Sequence, residues 1–355
     1  MEFVSSDEEE NVQISRQKLF KPYADKIGDY FMNSKAPKTI SQYNRHLDRL
    51  KTWAKKVGVN FLPLSVDDCL VYLVYLSETT SSFANVKMAK YAIKFAHSCD
   101  GFVSPTDDPA VNLILEAAKR YWAHPVKKAR PMTVEIIKLL VDGVLGKDIY
   151  RSPGHFQVKL ADWRTVANII VKFCFLCRSD DVIELKRSNF TFVRDLLVIH
   201  FPKAKNDQYH EGKSTLFEAR KKIYCPVFIV FKYFQRLGYK NTTNGYFLPQ
   251  IKSINGGRKN GKTIKIQIPN EKKHISYSTC LADRRRVLNE LGLPGHEFTE
   301  HSDKAGGMST IVNSGAPLED AQTHGRWKSI EVAHSYVQKS EKKKRELSRF
   351  FFKND

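Results

Sequence analysis

Apolar residues recur at helical spacing through the first third of the chain. Thr39-Ile-Ser-Gln42 has the form of a capping box, and Ile40, Tyr43, Leu47, Leu50, Ala54 and Val57 follow it until Gly58 predicts a stop. Ser65 to Asp68 opens a second helix with Val66, Leu70, Leu73 and Val74 inside it. A third, from about Ser82, carries Phe83, Val86, Ala89, Tyr91 and Phe95. Asp108-Pro109 is an N-cap and first-turn pair for a fourth, ending near Tyr121-Trp122. The pattern predicts an all-helical module over residues 15–122. The stretch 123–132 breaks it with two prolines and three cations and reads as a basic linker. Its Lys127 and Lys128 are suited to lie along a phosphate backbone.

From Thr133 the pattern changes. A helix carries Val134, Ile137, Leu139 and Leu140, and a buried helix ends in the run IIVKFCFLC. Three short strands are expected next: 190–193, 196–201 and 223–225, suited to a small antiparallel sheet. Helices return with PVFIVFKYFQRLG, 226–238. The expected fold is mainly α, or α+β. A helical N-terminal domain precedes a helical catalytic domain, 133–340, with a small antiparallel sheet. Residues 1–14 read as an acidic, disordered tail, and 341–355 as a basic and aromatic tail ending in Phe350-Phe351-Phe352, a candidate for exchange between protomers.

Composition narrows the partner. Lys and Arg number 58 against 38 acidic residues, a net charge of +20. Such an excess points to a polyanion, with double-stranded DNA first and an anionic membrane surface second. No apolar run approaches the roughly 20 residues of a spanning helix, so no membrane role is expected. The acidic start, MEFVSSDEEE, is unlike a secretory signal. Six scattered cysteines fit a reducing compartment. Cys174 and Cys177 have a metal-like spacing, but no second pair follows, and both read as core.

Two motifs are weighed against their surroundings. Gly256 to Thr263 matches the phosphate-binding loop G-x-x-x-x-G-K-[ST]. A phosphate loop needs a helix to begin at its lysine, whereas IKIQIP follows here and alternates as a strand does. A basic hairpin turn is the expectation. Lys87, Lys90 and Lys94 form one stripe on the third helix. Such a stripe serves as a solvated face or as a DNA contact; the net charge favours DNA, as it does for Arg45 and Arg49 on the first helix.

The second domain carries an inventory for phosphodiester chemistry without a metal. A nucleophile must lie in line with phosphorus, cations must hold the non-bridging oxygens, and a donor must protonate the leaving oxygen. Arg178 ends the apolar helix and precedes Ser179-Asp180-Asp181. Lys203 and Lys205 lie on the turn after a strand. HSDKAGG, 301–307, puts His301 three residues before Lys304, on one face of a helix. HGRW, 324–327, is followed by Tyr336.

In this order and spacing the residues resemble the tyrosine recombinases, the phage-integrase-like site-specific recombinases. Arg178 with Asp181, a turn lysine at Lys205, His301 opening H-x-x-R, and Trp327 nine residues before Tyr336 carry the likeness. H-S-x-[RK]-A-G-G followed by H-G-R-W-K-S looks like the eukaryotic mobile-element branch, of Crypton or DIRS type. The resemblance implies a 3′-phosphotyrosyl intermediate on Tyr336, Arg178 on the phosphate and Lys205 as the acid. It implies His301 in proton transfer, Trp327 as an indole donor, and Asp181 and His324 as support. It further implies no cofactor, a tetrameric synapse of protomers on DNA, and a nuclear location.

The sequence departs from that pattern at Lys304, where the second arginine is expected. Lysine keeps the charge and loses the bidentate fork. Losing one preorganised donor costs roughly 3–4 kcal/mol, and a lysine less than that. An active recombinase and a domesticated, weakly cleaving DNA-binding protein both fit. A type IB topoisomerase, acting as a monomer, is the third reading.

Overall fold

The computed structural model describes residues 20–124, 129–202, 212–220, 223–259, 262–338 and 345. The chain forms two compact units, Met1–Val126 and Lys127–Asp355. Both tails lie outside the described residues except Arg345, as do Lys127, Lys128, Lys203 and Lys205.

The first unit is helical. α1 spans Ile27–Asn33, α2 Pro37–Val57, α3 Val66–Thr80, α4 Phe83–Cys99 and α5 Pro109–Tyr121. Local caps set most of the boundaries. The Ser65 side chain accepts from the Asp68 N–H, Ser82 from Asn85, and Asp108 from Ala110, with Pro109 in the first turn. Gly58 ends α2 at φ 78°, a left-handed conformation that glycine adopts without strain. The expected capping box at Thr39 is not the start of α2. The helix begins one turn earlier, with Ala36 as N-cap and Pro37 in the first position, because proline's fixed φ and missing N–H suit that place. Leu50, Trp53, Tyr72, Leu73, Val86 and Ile93 fill the core.

The second unit is built around one buried helix. Its elements are α6 Val134–Leu140, α7 Leu160–Cys174, α8 Ser179–Ile183, β1 Phe190–Val193, β2 Leu196–Phe201, β3 Lys213–Glu218 and α9 Pro226–Leu237. β4 Pro249–Lys259, β5 Lys262–His274, α10 Tyr277–Glu290, α11 Ser302–Asn313, α12 Leu318–His324 and α13 Ile330–Ser335 complete it. α7 packs against α9, α10 and α11 and is buried on nearly every face. β1, β2 and β3 form an antiparallel sheet in that order. The fold class matches the expectation, but the third strand does not. Residues 223–224 form a turn, because Cys225 and Pro226 already cap and open α9. β3 takes the place instead, with Thr215 buried and Phe217 packed on the core. The phosphate-loop lookalike runs from β4 into β5, an antiparallel two-stranded hairpin, and no helix begins at Lys262.

Charge pairing ties these helices together beneath the surface. Lys172, in the last turn of α7, is fully buried. Its Nζ donates to Glu300 Oε2 at 2.5 Å and to Ser179 Oγ at 2.8 Å, and lies 3.3 Å from Asp303 Oδ2. Arg284 of α10 donates to Glu300 Oε1 at 2.9 Å and to Asp303 Oδ1 at 2.6 Å, with a second bond to Asp303 Oδ2. Two cations thus balance two carboxylates in a fully buried cluster, and each has several partners. Burial opposes ionisation of Glu300, but Arg284 and Lys172 outweigh it and hold the carboxyl at about 2. Glycine sets the spacing. A Cβ on Gly307 would lie 2.0 Å from the Phe173 carbonyl oxygen of α7, and one on Gly306 would lie 1.9 Å from that of Met132.

Gly307→Ala is expected to cost about 1–3 kcal/mol or more by overpacking, read as a lower urea midpoint at unchanged m-value. Glu300 gives an acid signature. Its carboxyl is depressed in the fold, so its stabilisation is complete above the ordinary value of 4.5 and is lost as pH falls through about 2. Glu300→Gln should flatten the stability profile in that window and cost about 3–5 kcal/mol at pH 7, because it strands a buried charge. An unchanged acid limb would show that the network does not carry it.

Candidate active site

Four structural pieces of the second unit converge on one corner: the end of α7, the start of α8, the start of α11, and the α12–α13 segment. α7 stops at Cys174, and Leu176 turns the chain at φ 50°. Arg178 therefore does not close the apolar helix, as expected from sequence, but caps the start of α8. Its backbone N–H donates to Asp181 Oδ2 at 3.0 Å, and Asp181 is buried. Asp181 thus fixes where the arginine leaves the backbone. The guanidinium is half-buried, and its charge reaches Lys304 and His301.

Lys304 is the unusual cation. It is 1% exposed, which removes it from bulk water. Its Nζ donates to the Gly325 carbonyl at 3.2 Å and lies 3.9 Å from the centroid of the Trp327 ring and 5.9 Å from that of Tyr336. Burial, then the charges of Arg178 and Arg326, bring its pKa down to about 7. His301 and Lys304 do not share a surface: His301 is exposed and precedes α11, whereas Lys304 faces inward. Desolvation, with Lys172 and Arg178 nearby, holds the His301 imidazole below its ordinary range.

The HGRW segment shapes the other wall. His324 closes α12 and donates from Nε2 to the Cys174 carbonyl at 2.8 Å, clipping α12 to α7. Burial lowers its pKa as well. Gly325 lies flat beneath the Trp327 ring, where a Cβ would come within 1.8 Å of a ring carbon. Trp327 is 5% exposed, and its indole N–H is buried without a hydrogen-bond partner among the described residues. An orphaned donor of this kind costs about 1–3 kcal/mol until an acceptor arrives. Tyr336 follows α13, with its ring centroid 5.3 Å from that of Trp327. Its carbonyl accepts from Ser309 Oγ at 3.3 Å, while its hydroxyl makes no hydrogen bond among the described residues.

The structure therefore brings Arg178, Asp181, Lys304, His324, Trp327 and Tyr336 together, with His301 at the edge. A lysine, an unpaired indole N–H and a phenol around one space can hold an anionic oxygen beside a nucleophile. Sequence reasoning missed Lys172, Arg284, Glu300 and Asp303, which hold the helices that bear these groups. The lysine inside the apolar run IIVKFC was the signal. It also passed over Arg326. Cys177 is buried and Cys174 partly so, and neither belongs to any metal-binding group among the described residues.

The expected DNA-contacting residues of the first unit lie on two helices. Arg45 and Arg49 are exposed on α2 and border a groove with Trp53, Tyr72 and Tyr75. On α4, Lys87 is exposed. Lys90 donates to Asn112 Oδ1 at 2.8 Å, and Lys94 pairs with Asp107 at 2.5 Å. Among the described residues no helix is long and apolar enough to cross a membrane.

No family model matches the chain, and no curated protein matches it in sequence. Solved structures do resemble it. The XerH site-specific recombinase bound to a palindromic difH substrate, a post-cleavage complex, superposes with a TM-score of 0.53 at 12% identity, over 92% of this chain and 94% of that one. A lambda integrase dimer bound to a COC′ core site gives 0.52 at 14% identity, over 90% and 96%. The Tn1549 transposon integrase in complex with transposon right end DNA gives 0.51 at 12% identity, over 92% and 98%. At such identities the likeness is one of fold: this chain has the fold of tyrosine recombinases and integrases.

Proposed function

We propose that the chain is a site-specific DNA recombinase that breaks and rejoins strands through Tyr336. The observation that carries the proposal is the meeting of Lys304 and Tyr336 at the ring of Trp327, whose indole N–H is buried and unpartnered among the described residues. A phosphate oxygen supplies what that donor lacks. The net charge of +20 and the fold shared with DNA-bound recombinases support the same partner.

The steps follow from the groups present. Arg178, Lys304 and the Trp327 N–H hold the non-bridging oxygens of one phosphodiester. His301, kept neutral by its surroundings, takes the phenolic proton of Tyr336. The phenolate attacks phosphorus, forming a 3′-phosphotyrosyl ester. Lys205 gives a proton to the leaving 5′ oxygen. The ester stores the bond energy, so the reverse attack by a 5′ hydroxyl reseals DNA without a nucleotide cofactor. Asp181 and His324 hold Arg178 and the α12 turn in place. Arg45, Arg49, Lys87, Lys90, Lys94, Lys127 and Lys128 contact the backbone of duplex DNA. The motifs from His301 onward favour a eukaryotic mobile-element recombinase, acting in the nucleus as a tetrameric synapse.

The lysine at 304 favours one further reading, a protein that binds DNA and cleaves it weakly. One experiment separates the two. A site is selected from a random duplex library by binding and then nicked to trap the adduct. A protein–DNA adduct that vanishes in Tyr336→Phe is expected; tight, salt-sensitive binding with no adduct would leave only the binding protein. The pH profile is a second check. Lys304 must be charged to hold phosphate, and its pKa in the free protein is about 7. The second-order rate constant for cleavage should fall as pH rises through about 7, and that limb should be missing in Lys304→Arg. A flat profile would remove Lys304 from the phosphate.

A further inference from the structure

Arg326 has no part in the steps above, yet its side chain is the most heavily engaged in the α12–α13 turn. Its guanidinium carbon lies 3.8 Å from the centroid of the Phe201 ring. One terminal nitrogen donates to Thr215 Oγ1 at 2.8 Å and to the Phe175 carbonyl at 3.4 Å, and the other reaches Cys177 Sγ at 3.5 Å. Phe201 ends β2, and Thr215 lies on β3 opposite Ile199. One side chain therefore grips both arms of the hairpin whose connection contains Lys205. Phe175 and Cys177 belong to the link from α7 to Arg178, so the same guanidinium ties that link to the hairpin.

The backbone adds a second observation. Arg326 has φ 56°, in the left-handed region that residues with a Cβ avoid. Glycine would take this conformation without strain. An arginine held there, with its planar fork spread over a ring, a hydroxyl, a carbonyl and a thiol, is over-determined by its contacts. Those contacts also mark it as a brace: its donors are directed at protein groups.

We infer that Arg326 is a positioning residue that pins the β2–β3 hairpin to the site, and that protonation of the leaving 5′ oxygen depends on it. The inference rests on the reading of Tyr336 as nucleophile and Lys205 as acid. In that reaction the Tyr336 oxygen bonds to phosphorus, the bond from phosphorus to the 5′ oxygen breaks, and the departing oxygen takes a proton from Lys205. A sulfur atom in the 5′ bridging position leaves as a thiolate and needs no proton, because thiols ionise far more readily than alcohols. The substrate with sulfur thus isolates the acid step from every other one.

The test compares adduct formation by the full chain on the selected duplex with oxygen or with sulfur at the 5′ bridge. Arg326→Gly keeps the left-handed backbone and removes the brace. It is expected to slow cleavage of the oxygen substrate about a hundred-fold, the lower end of the range for a general acid. The rate on the sulfur substrate should fall far less than that on the oxygen substrate, because only the oxygen substrate uses the acid. Arg326→Lys keeps the charge but cannot hold both strands at once, and should show the same split. Circular dichroism of both variants guards against a folding defect, and either variant alone suffices for the comparison. Equal losses on the two substrates, or no loss on either, would overturn the inference while leaving the recombinase reading in place. A parent protein that forms no Tyr336-dependent adduct would overturn both.

Discussion

The candidate site depends on a buried set of charges, Lys172 and Arg284 against Glu300 and Asp303. Three of its groups lie next to a candidate site residue. Glu300 precedes His301, Asp303 precedes Lys304, and Ser179, bonded to Lys172, follows Arg178. Taking four charges out of water is costly, and they repay it only when each is fully partnered. Here the partners come from four parts of the chain: α7, the start of α8, α10 and the start of α11. The network is therefore satisfied in one arrangement of α7, α8, α10 and α11, the arrangement that turns Arg178 and Lys304 toward one space. A hydrophobic replacement of similar volume could match its stability, but it would lose that directional demand.

Legibility in the sequence followed the range of the forces involved. The caps at Ser65, Ser82, Asp108 and Thr133 are local, and each acts where its residue type predicts. Thr39 failed because Pro37, two residues earlier, is the stronger start signal. β3 was missed since Lys213–Glu218 carries one inward apolar side chain, Phe217, beside the buried Thr215, and gains its place by pairing with β2. The meeting of Trp327 with Tyr336 could be read from spacing, because one short helix separates them. The buried ion network could not: it joins α7 to residues more than a hundred positions away, and only a lysine in an apolar run hinted at it.

The substitution at 304 looks different once its surroundings are known. A guanidinium there would be expected to fork across two phosphate oxygens. The ammonium instead lies over an indole face with one carbonyl beneath it, a place that stabilises a cation by the ring quadrupole rather than by water. Burial and two nearby arginines push the other way. The result is a cation whose charge is balanced near neutrality and that an arriving anion would restore.

Gly306 and Gly307 lie between that lysine and the rest of α11, and they carry no chemistry. Their Cα atoms rest where the carbonyl oxygens of Met132 and Phe173 leave room for hydrogen alone. They act as a gauge. The height of Lys304 above α7 is set by the thickness of bare backbone, so α11 can neither sink to shorten its reach nor rise without opening a void. Two of the seven residues of His301–Gly307 thus serve as metrology. Lys304 and the glycines that measure its height lie within one turn of each other on the same helix.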